Sequence, residues 1–407
     1  MGMPHRSADR RGRMTSEKNA APHIRDGLGE GFMLIGVPAE TDPAETRVAA
    51  TAETVKKLIG LGAEVAVEQG AGKKAGIVDA DYVSAGARLV SAAEALCADV
   101  VLKVRRPKPK EITALKSGAL VIASMDPYGH LNEVKALAKS GASAFAMELL
   151  PRITRAQVMD VLSSQANLAG YRAVIDAAAE YGRAMPMMMT PAGTVPAAKF
   201  FVMGVGVAGL QAIATGRRLG AIVTATDVRP ATKEQVESLG AKFVAVEDEE
   251  FKQAETSGGY AKEMSDAYKA KQAALVAAHI AKQDIVVTTA LIPGRPAPRL
   301  VTAEMVDAMR PGSVIVDLAV ERGGNVELAK AGELVTTENG VKIIGYSSVT
   351  RLAATASALY ARNLYAFVET LIDKANKTLA VNWEDELVKA TCLTRDGAVV
   401  HPNFLPK

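Results

Sequence analysis

The sequence predicts an α/β fold of two Rossmann-like domains, each a doubly wound parallel sheet, with an inter-domain cleft and a discontinuous first domain. Three observations carry this. Short β-rich runs alternate with helical patterns from Phe32 onward, the alternation comes in two sets divided by one long helical segment, and a second long helical segment follows the last strand. The length of 407 residues suits two domains with a core each.

The elements follow in order. Residues 1–30 are polar and basic without an apolar h-region, and read as a disordered tail rather than a secretory signal. MLIGVPAE, AEVAVEQGAG, DVVLKVRRP, ALVIASMD and ASAFAMELLP read as strands of the first lobe, with helices over residues 45–61 and 131–139. Residues 163–182 carry Leu168, Tyr171, Val174, Ile175 and Ala178 at helical spacing and end on Gly182, a C-cap signal, so they predict an inter-lobe helix. AAKFFVMG, AIVTATD, KFVAV, DIVVTTA, SVIVDLA and VKIIGYS form the second set. A helix over residues 355–374 is then placed to return the chain to the first lobe. The expected division is residues 31–162 plus 352–407 as the first domain and 163–351 as the second.

Composition narrows the function. A hydrophobic content of 49% with 23% charged residues is that of a soluble globular protein. A net charge of +3 gives no electrostatic case for nucleic acid. Cys97 and Cys392 stand far apart without a partner motif, which argues for neither a disulfide framework nor a metal site and fits a reducing, cytoplasmic setting. No run of 18 apolar residues is present to span a membrane.

The segment FFVMGVGVAGLQAIATGRRLGAIVTATD sets Gly204, Gly206 and Gly209 after an apolar strand and Asp227 at the end of the next. Gly204 permits the tight turn, Gly206 leaves no side chain between backbone and a pyrophosphate, and Gly209 lets the helix over residues 207–219 press on the strand. The helix N-terminus supplies free N–H groups and partial positive charge to the phosphates. Asp227 is placed to accept from the adenosine ribose hydroxyls and to repel a phosphate there. Arg229, two residues on, is the kind of residue that accommodates such a phosphate, but Asp227 holds the strand end, so NAD(H) is favoured.

Other constellations carry a chemical and a bland reading each. In PRITRAQVMD, Arg152, Gln157 and Asp160 are spaced to meet; Gln157 offers a nicotinamide carboxamide both donor and acceptor, and an Arg–Asp pair would fix the geometry, against a surface helix start. Residues 247–272, polar and broken by Gly258 and Gly259, read as a long loop. Tyr260 closing over the nucleotide stands against a solvated helix. KVRRPKPK, residues 103–110, reads as a solvated charge run and Met185 to Pro191 as a packing loop. TTALIPGRPAP follows a strand end of the second lobe and borders the nicotinamide. Of the histidines, His279 reads as structural within its helix, and His130 follows a strand near the cleft.

The scarcity of acid–base groups separates two reactions. Oxidising an alcohol or amino acid releases a proton and calls for a base, whereas hydride exchange between two nicotinamides needs juxtaposition and exclusion of water. A cleft with Gln, Arg and Asp suits the second.

GVGVAGLQAIATGRRLGA with ATDVRPATKEQVESLGAKF, SGGYAKEM, TTALIPGRPAP and PGSVIVDLAVERGGN, in this order over residues 32–375, closely resemble the NAD(H)-binding component of proton-translocating NAD(P) transhydrogenases, in the form of a separate alpha subunit. The resemblance implies that Arg152, Gln157, Asp160 and Ser163 act at the nicotinamide end. It places the cofactor among Gly204, Val205, Gly206, Val207, Gly209, Asp227, Val228, Arg229, Gly259, Tyr260, Thr289, Ala290 and Leu291, with Tyr260 and Met264 in a mobile loop. It further implies a homodimer, peripheral to the cytoplasmic face of the inner membrane, with NADP(H) on a beta subunit and proton movement in a membrane-embedded subunit. Those partners are expected as separate chains, since this sequence has neither membrane helices nor a second GxGxxG unit. Alanine dehydrogenase is the alternative: VPAETDPAETRVAAT is similar to its N-terminal segment, with Arg47 at a substrate arginine. Arg105-Arg106-Pro107 departs from its Lys-Glu-Pro, and Ala123-Ser124-Met125 lacks its histidine. A module that senses NAD without transferring hydride is a third reading.

Overall fold

The computed structural model of the chain describes residues 33–253, 264–292, 294–346 and 349–405. β1 (Met33–Val37), β2 (Ala63–Glu68), β3 (Arg88–Val90), β4 (Val100–Arg105), β5 (Leu120–Ser124) and β6 (Ser143–Ala146) make one sheet in the order β3-β2-β1-β4-β5-β6, with every pair parallel. β1 is apolar and buried throughout, and β4 is buried up to Val104 and apolar apart from Lys103 and Arg105, as strands covered by helices on both faces should be.

A hairpin of β7 (Met188–Thr190) and β8 (Gly193–Val195) precedes the second sheet. That sheet is built from β9 (Lys199–Met203), β10 (Ile222–Thr226), β11 (Lys242–Phe243), β12 (Ile285–Thr288), β13 (Val314–Asp317), β14 (Leu334–Thr336) and β15 (Lys342–Ile344). Its order is β11-β10-β9-β12-β13-β15-β14, parallel except at the β14–β15 edge. The winding of the first sheet is thus repeated, with β9 in the place of β1 and β12 in the place of β4. In each sheet the order reverses between those two strands, and an open α/β sheet takes its ligand beyond that point, at the strands' carboxyl ends.

Two helices tie the lobes together. Helix Val161–Glu180 starts against the first lobe, where the Ser164 hydroxyl meets Asn363 Oδ1 at 2.7 Å, and ends with Ala173, Val174 and Ala177 in the core of the second. Helix Ala353–Glu369 buries Tyr360, Leu364, Phe367 and Val368 in one cluster with Ile35, Val37, Leu102 and Ile122, so the chain returns to the first sheet after completing the second. Among the described residues no helix is long and apolar enough to cross a membrane.

The structure departs from the sequence expectations at several points. Residues 45–51 are not helical, and the first helix is Ala52–Gly60, because Thr51 caps it and exchanges hydrogen bonds with Thr54. The inter-lobe helix ends at Glu180, with extended Tyr181 rather than Gly182 as its C-cap. β3 and β14 are short, with exposed residues that hide the apolar pattern. The described parts of the 247–272 segment are helical, Glu249–Lys252 and the start of Asp266–Ile280, and Met264 is buried in the second core. Met185 is buried, but Met187, Met188 and Met189 project from the hairpin, Met189 at 80% exposure, so this segment is a displayed ribbon rather than a packing loop. Lys103 is fully buried, its ammonium 2.9 Å from Glu111 and 3.3 Å from Glu40, so the run is buried at its start, where these carboxylates meet it, while Lys108, Pro109 and Lys110 are exposed as expected.

Candidate functional site

The glycine-rich turn sits at the reversal point of the second sheet. Gly204 has φ +102°, and a Cβ there would stand 2.7 Å from the Thr289 hydroxyl oxygen, so the turn admits no side chain. A Cβ on Gly209 would run into the Gly204 carbonyl, which is how close helix Val207–Arg218 comes to its own strand. Gly206 differs from both. It is exposed, a Cβ there would meet nothing within 4 Å, and as N-cap it gives no side chain to the first-turn N–H groups. The helix therefore presents uncapped donors and partial positive charge to open space, with exposed Val207 alongside, and this fits a pyrophosphate.

Asp227 directly follows β10, and its carboxylate is occupied. Oδ2 accepts from the Val205 N–H at 2.7 Å and from Arg229 Nη2 at 3.0 Å, while Oδ1 accepts from the Arg229 N–H and Nε, both at 2.9 Å. Arg229 folds back onto it, the two being only two residues apart around a turn, so a ribose hydroxyl would meet this carboxylate in competition with that guanidinium. Val228, between them, is exposed.

Across the reversal point, the loop after β12 closes the other side. The Thr289 N–H donates to Met203 O and its hydroxyl to Gly204 O, each at 2.9 Å. Ala290 is held by Asn325, and Leu291 stands 53% exposed at the rim. Asn325 is fully buried and belongs to the turn after β13, which Asp317 organises by accepting the N–H groups of Ala319 and Val326; burial pushes the Asp317 carboxyl above its ordinary range. Sequence reading singles out neither residue, and the two glycines before Asn325 are the signal that points to this turn.

The first lobe supplies the second wall. Gln157 lies exposed in the 3₁₀ turn Thr154–Met159. Asp160 is the extended N-cap of helix Val161–Glu180 rather than part of one helical turn with Gln157, and its carboxylate accepts from both the N–H and the hydroxyl of Ser163. The Asp160 carboxylate thus caps the helix, and Arg152 is exposed at the loop's start. Further along the helix, a Cβ on Gly170 would run into the Ala208 carbonyl, and Asn167 Nδ2 donates to Gln211 at 3.3 Å. The Asp160 cap therefore stands about 15 Å along the helix from its contact with the phosphate-binding turn. Gly259 and Tyr260 lie outside the described residues.

Below this wall, at the reversal point of the first sheet, Glu45 is buried and accepts from Arg47 Nε and Nη2, both at 2.7 Å, and from Arg105 Nε at 2.8 Å. Burial works against its charge, but the two guanidiniums outweigh it and hold the carboxyl down at about 2. His130 meets the Asp126 carbonyl at 2.9 Å, and His279 contacts Thr224 at 2.9 Å in the helix layer, its pKa lowered by burial and by Lys282 and Lys242. His279 is structural. The site as a whole can hold a dinucleotide and set a polar amide beside its far end.

Comparison with known proteins agrees with this fold. Residues 36–169 match the family "Alanine dehydrogenase/PNT, N-terminal domain" and residues 173–402 match "Alanine dehydrogenase/PNT, C-terminal domain". The chain is 57% identical over 378 residues to the first part of the NAD(P) transhydrogenase alpha subunit of Rhodospirillum rubrum, covering 91% of this chain and 98% of that one. The crystal structure of a transhydrogenase from Sinorhizobium meliloti superposes with a TM-score of 0.83 at 63% identity, covering 90% of this chain and all of that one. A structure of L-alanine dehydrogenase superposes with a TM-score of 0.75 at 27% identity, covering 91% and 98%.

Proposed function

The chain belongs to the alanine dehydrogenase/PNT family, and from that premise we propose that it is the NAD(H)-binding subunit of a proton-translocating NAD(P) transhydrogenase. NADH supplies the hydride when bound. The helix N-terminus at Gly206 holds the pyrophosphate, Asp227 the adenosine ribose, and Thr289, Ala290 and Leu291 border the nicotinamide. Gln157 orients the carboxamide with its amide, and Asp160 and Ser163 fix the loop on which it stands. Arg152 flanks the same loop. The acceptor is NADP⁺ on a separate beta subunit, and the hydride carries both electrons, so no proton leaves and no base is called for.

The single observation that carries this reading is the exposed amide of Gln157 on the 3₁₀ turn that leads into a helix packed on the glycine-rich turn. Val158 and Leu162 beside it are 65% and 58% exposed, an apolar seat for the NADP(H)-binding component. The hairpin methionines offer a comparable surface to a second copy of the chain, in keeping with a homodimer. Proton movement belongs to a membrane-embedded subunit, against which this chain sits peripherally on the cytoplasmic side.

Amino-acid oxidation is less well supported. It would ask Arg47 to receive a substrate carboxylate, and Glu45 already occupies that guanidinium from within the fold. The deciding experiment mixes the chain with an NADP(H)-binding component and follows hydride exchange between NADH and an NADP analogue. Absence of exchange, with alanine-dependent formation of NADH by the chain alone, overturns the proposal; NADH binding with neither reaction points to a sensing module.

A further inference from the structure

The loop after β5 holds a backbone conformation that local sequence does not call for. Asp126 has φ +48°, in the left-handed region that a Cβ disfavours. Half-buried Glu148, its carboxyl pushed up by desolvation, holds the loop by accepting the N–H groups of Met125 and Asp126. In this conformation the Asp126 carboxylate leaves its own lobe: Oδ1 lies 2.6 Å from Arg322 Nη2, in the 3₁₀ turn Val320–Arg322 that follows β13. Arg106 and His130, both of the first lobe, approach Oδ2 at 3.7 and 3.4 Å.

A second contact lies two residues on. The Tyr128 ring rests against Gly294, where a Cβ would come within 2.6 Å of Cε1, and Gly294 belongs to the loop after β12. The Arg322 carbonyl accepts the Ala297 N–H at 2.8 Å, which joins the two second-lobe loops. One loop of the first sheet thus grips both loops that carry Ala290 and Asn325. The ion pair is partly exposed, 29% and 45% for its two side chains, so its contribution to stability is screened and its effect falls on lobe position.

We propose that the Asp126–Arg322 pair is a latch that sets the width of the cleft, with Asp126 as a positioning residue that touches no cofactor. Its consequence for hydride transfer rests on the function proposed above; the width itself does not. The test measures that width. Spin labels go on exposed Cys97 in the first lobe and on Ser238→Cys in the second, with unlabelled chain in excess; Cys392 is buried, its thiol pushed up to about 11, and stays unlabelled. Asp126→Asn keeps a side chain that tolerates the left-handed backbone, and Arg322→Met removes the partner. Each single variant is expected to shift and broaden the inter-lobe distance distribution, the double variant no further than either, and Arg322→Lys to return it to that of the parent. Distributions that superimpose on the parent, single shifts that add, or a lysine variant indistinguishable from Arg322→Met overturn the latch. Absence of hydride exchange by the parent chain, with these distance outcomes intact, would instead tell against the transhydrogenase reading alone.

Discussion

Asn325 grips Ala290 at both backbone polar groups, its Oδ1 3.0 Å from the Ala290 N–H and its Nδ2 2.9 Å from the Ala290 carbonyl. A third bond runs from Nδ2 to the Pro298 carbonyl at 2.8 Å. One buried amide thereby shapes the loop after β12, proposed above to border the nicotinamide, and it does so from the next strand's turn. Asn325→Ala should cost about 2 kcal/mol in thermal or urea unfolding, through unpaired polar groups, and raise the Kd for NADH roughly tenfold. A loss of stability with unchanged NADH affinity would make Asn325 a fold residue only.

The three glycines of the turn should fail in different ways. Gly206 has ordinary backbone angles and open space beside it, so Gly206→Ala should leave the melting temperature within a degree or two while abolishing measurable NADH binding. Gly209→Ala drives a Cβ into the Gly204 carbonyl and should lower stability by about 3 kcal/mol as well. Fluorescence titration beside calorimetry separates the two, and equal behaviour of the variants would remove Gly206 from the phosphate site.

Glu45 makes a prediction about acid. Its carboxyl is held at about 2 by Arg47 and Arg105, from an ordinary value of 4.5. A depressed acid contributes stability above its unfolded pKa, and that contribution, about 3 kcal/mol here, is lost as the pH falls from 4.5 through 2. Glu45→Gln should therefore lower the unfolding free energy by about that amount at pH 7, and the gap to the parent should narrow below pH 4.5. Denaturation at pH 7, 4 and 3 measures it, and a gap independent of pH would show that packing rather than charge is at stake.

How much of this was legible in the sequence depends on the distance over which each contact acts. The winding of both sheets follows from short apolar runs alternating with helices, and the roles of Gly204 and Gly209 from spacing within one βαβ unit. Those are local signals. The fate of charged side chains is not local: Lys103 opens a basic run that looks solvated until Glu40 and Glu111 arrive from other elements, and Asp126 meets an arginine almost 200 residues later. The Asp227–Arg229 pair is the instructive case between these. Both residues stand out in the sequence, yet their pairing depends on a turn geometry that residue types alone do not dictate.

Gln157 tests the nicotinamide end. Its amide is exposed on a loop whose position Asp160 and Ser163 fix, so Gln157→Asn should retain the fold and withdraw the amide by one methylene. Hydride transfer per bound complex should fall at least about tenfold, while the Kd for NADH changes less than about twofold. The converse, weak binding with transfer intact, would assign Gln157 to affinity instead.

Nucleotide preference turns on Asp227 and Arg229. The carboxylate accepts four donors, two on each oxygen, which fills its acceptor sites, so a ribose hydroxyl can be received only if the guanidinium swings away. Binding of NADH then competes with an internal ion pair, and Arg229→Met should tighten NADH severalfold by removing the competitor. Asp227→Asn acts in the opposite direction: it removes the charge that repels a ribose phosphate and releases Arg229 to meet one. NADH should bind roughly tenfold more weakly and NADPH more tightly, bringing the two Kd values together. Titration of both nucleotides against both variants reads this directly, and a preference for NADH that survives Asp227→Asn would place discrimination elsewhere in the turn.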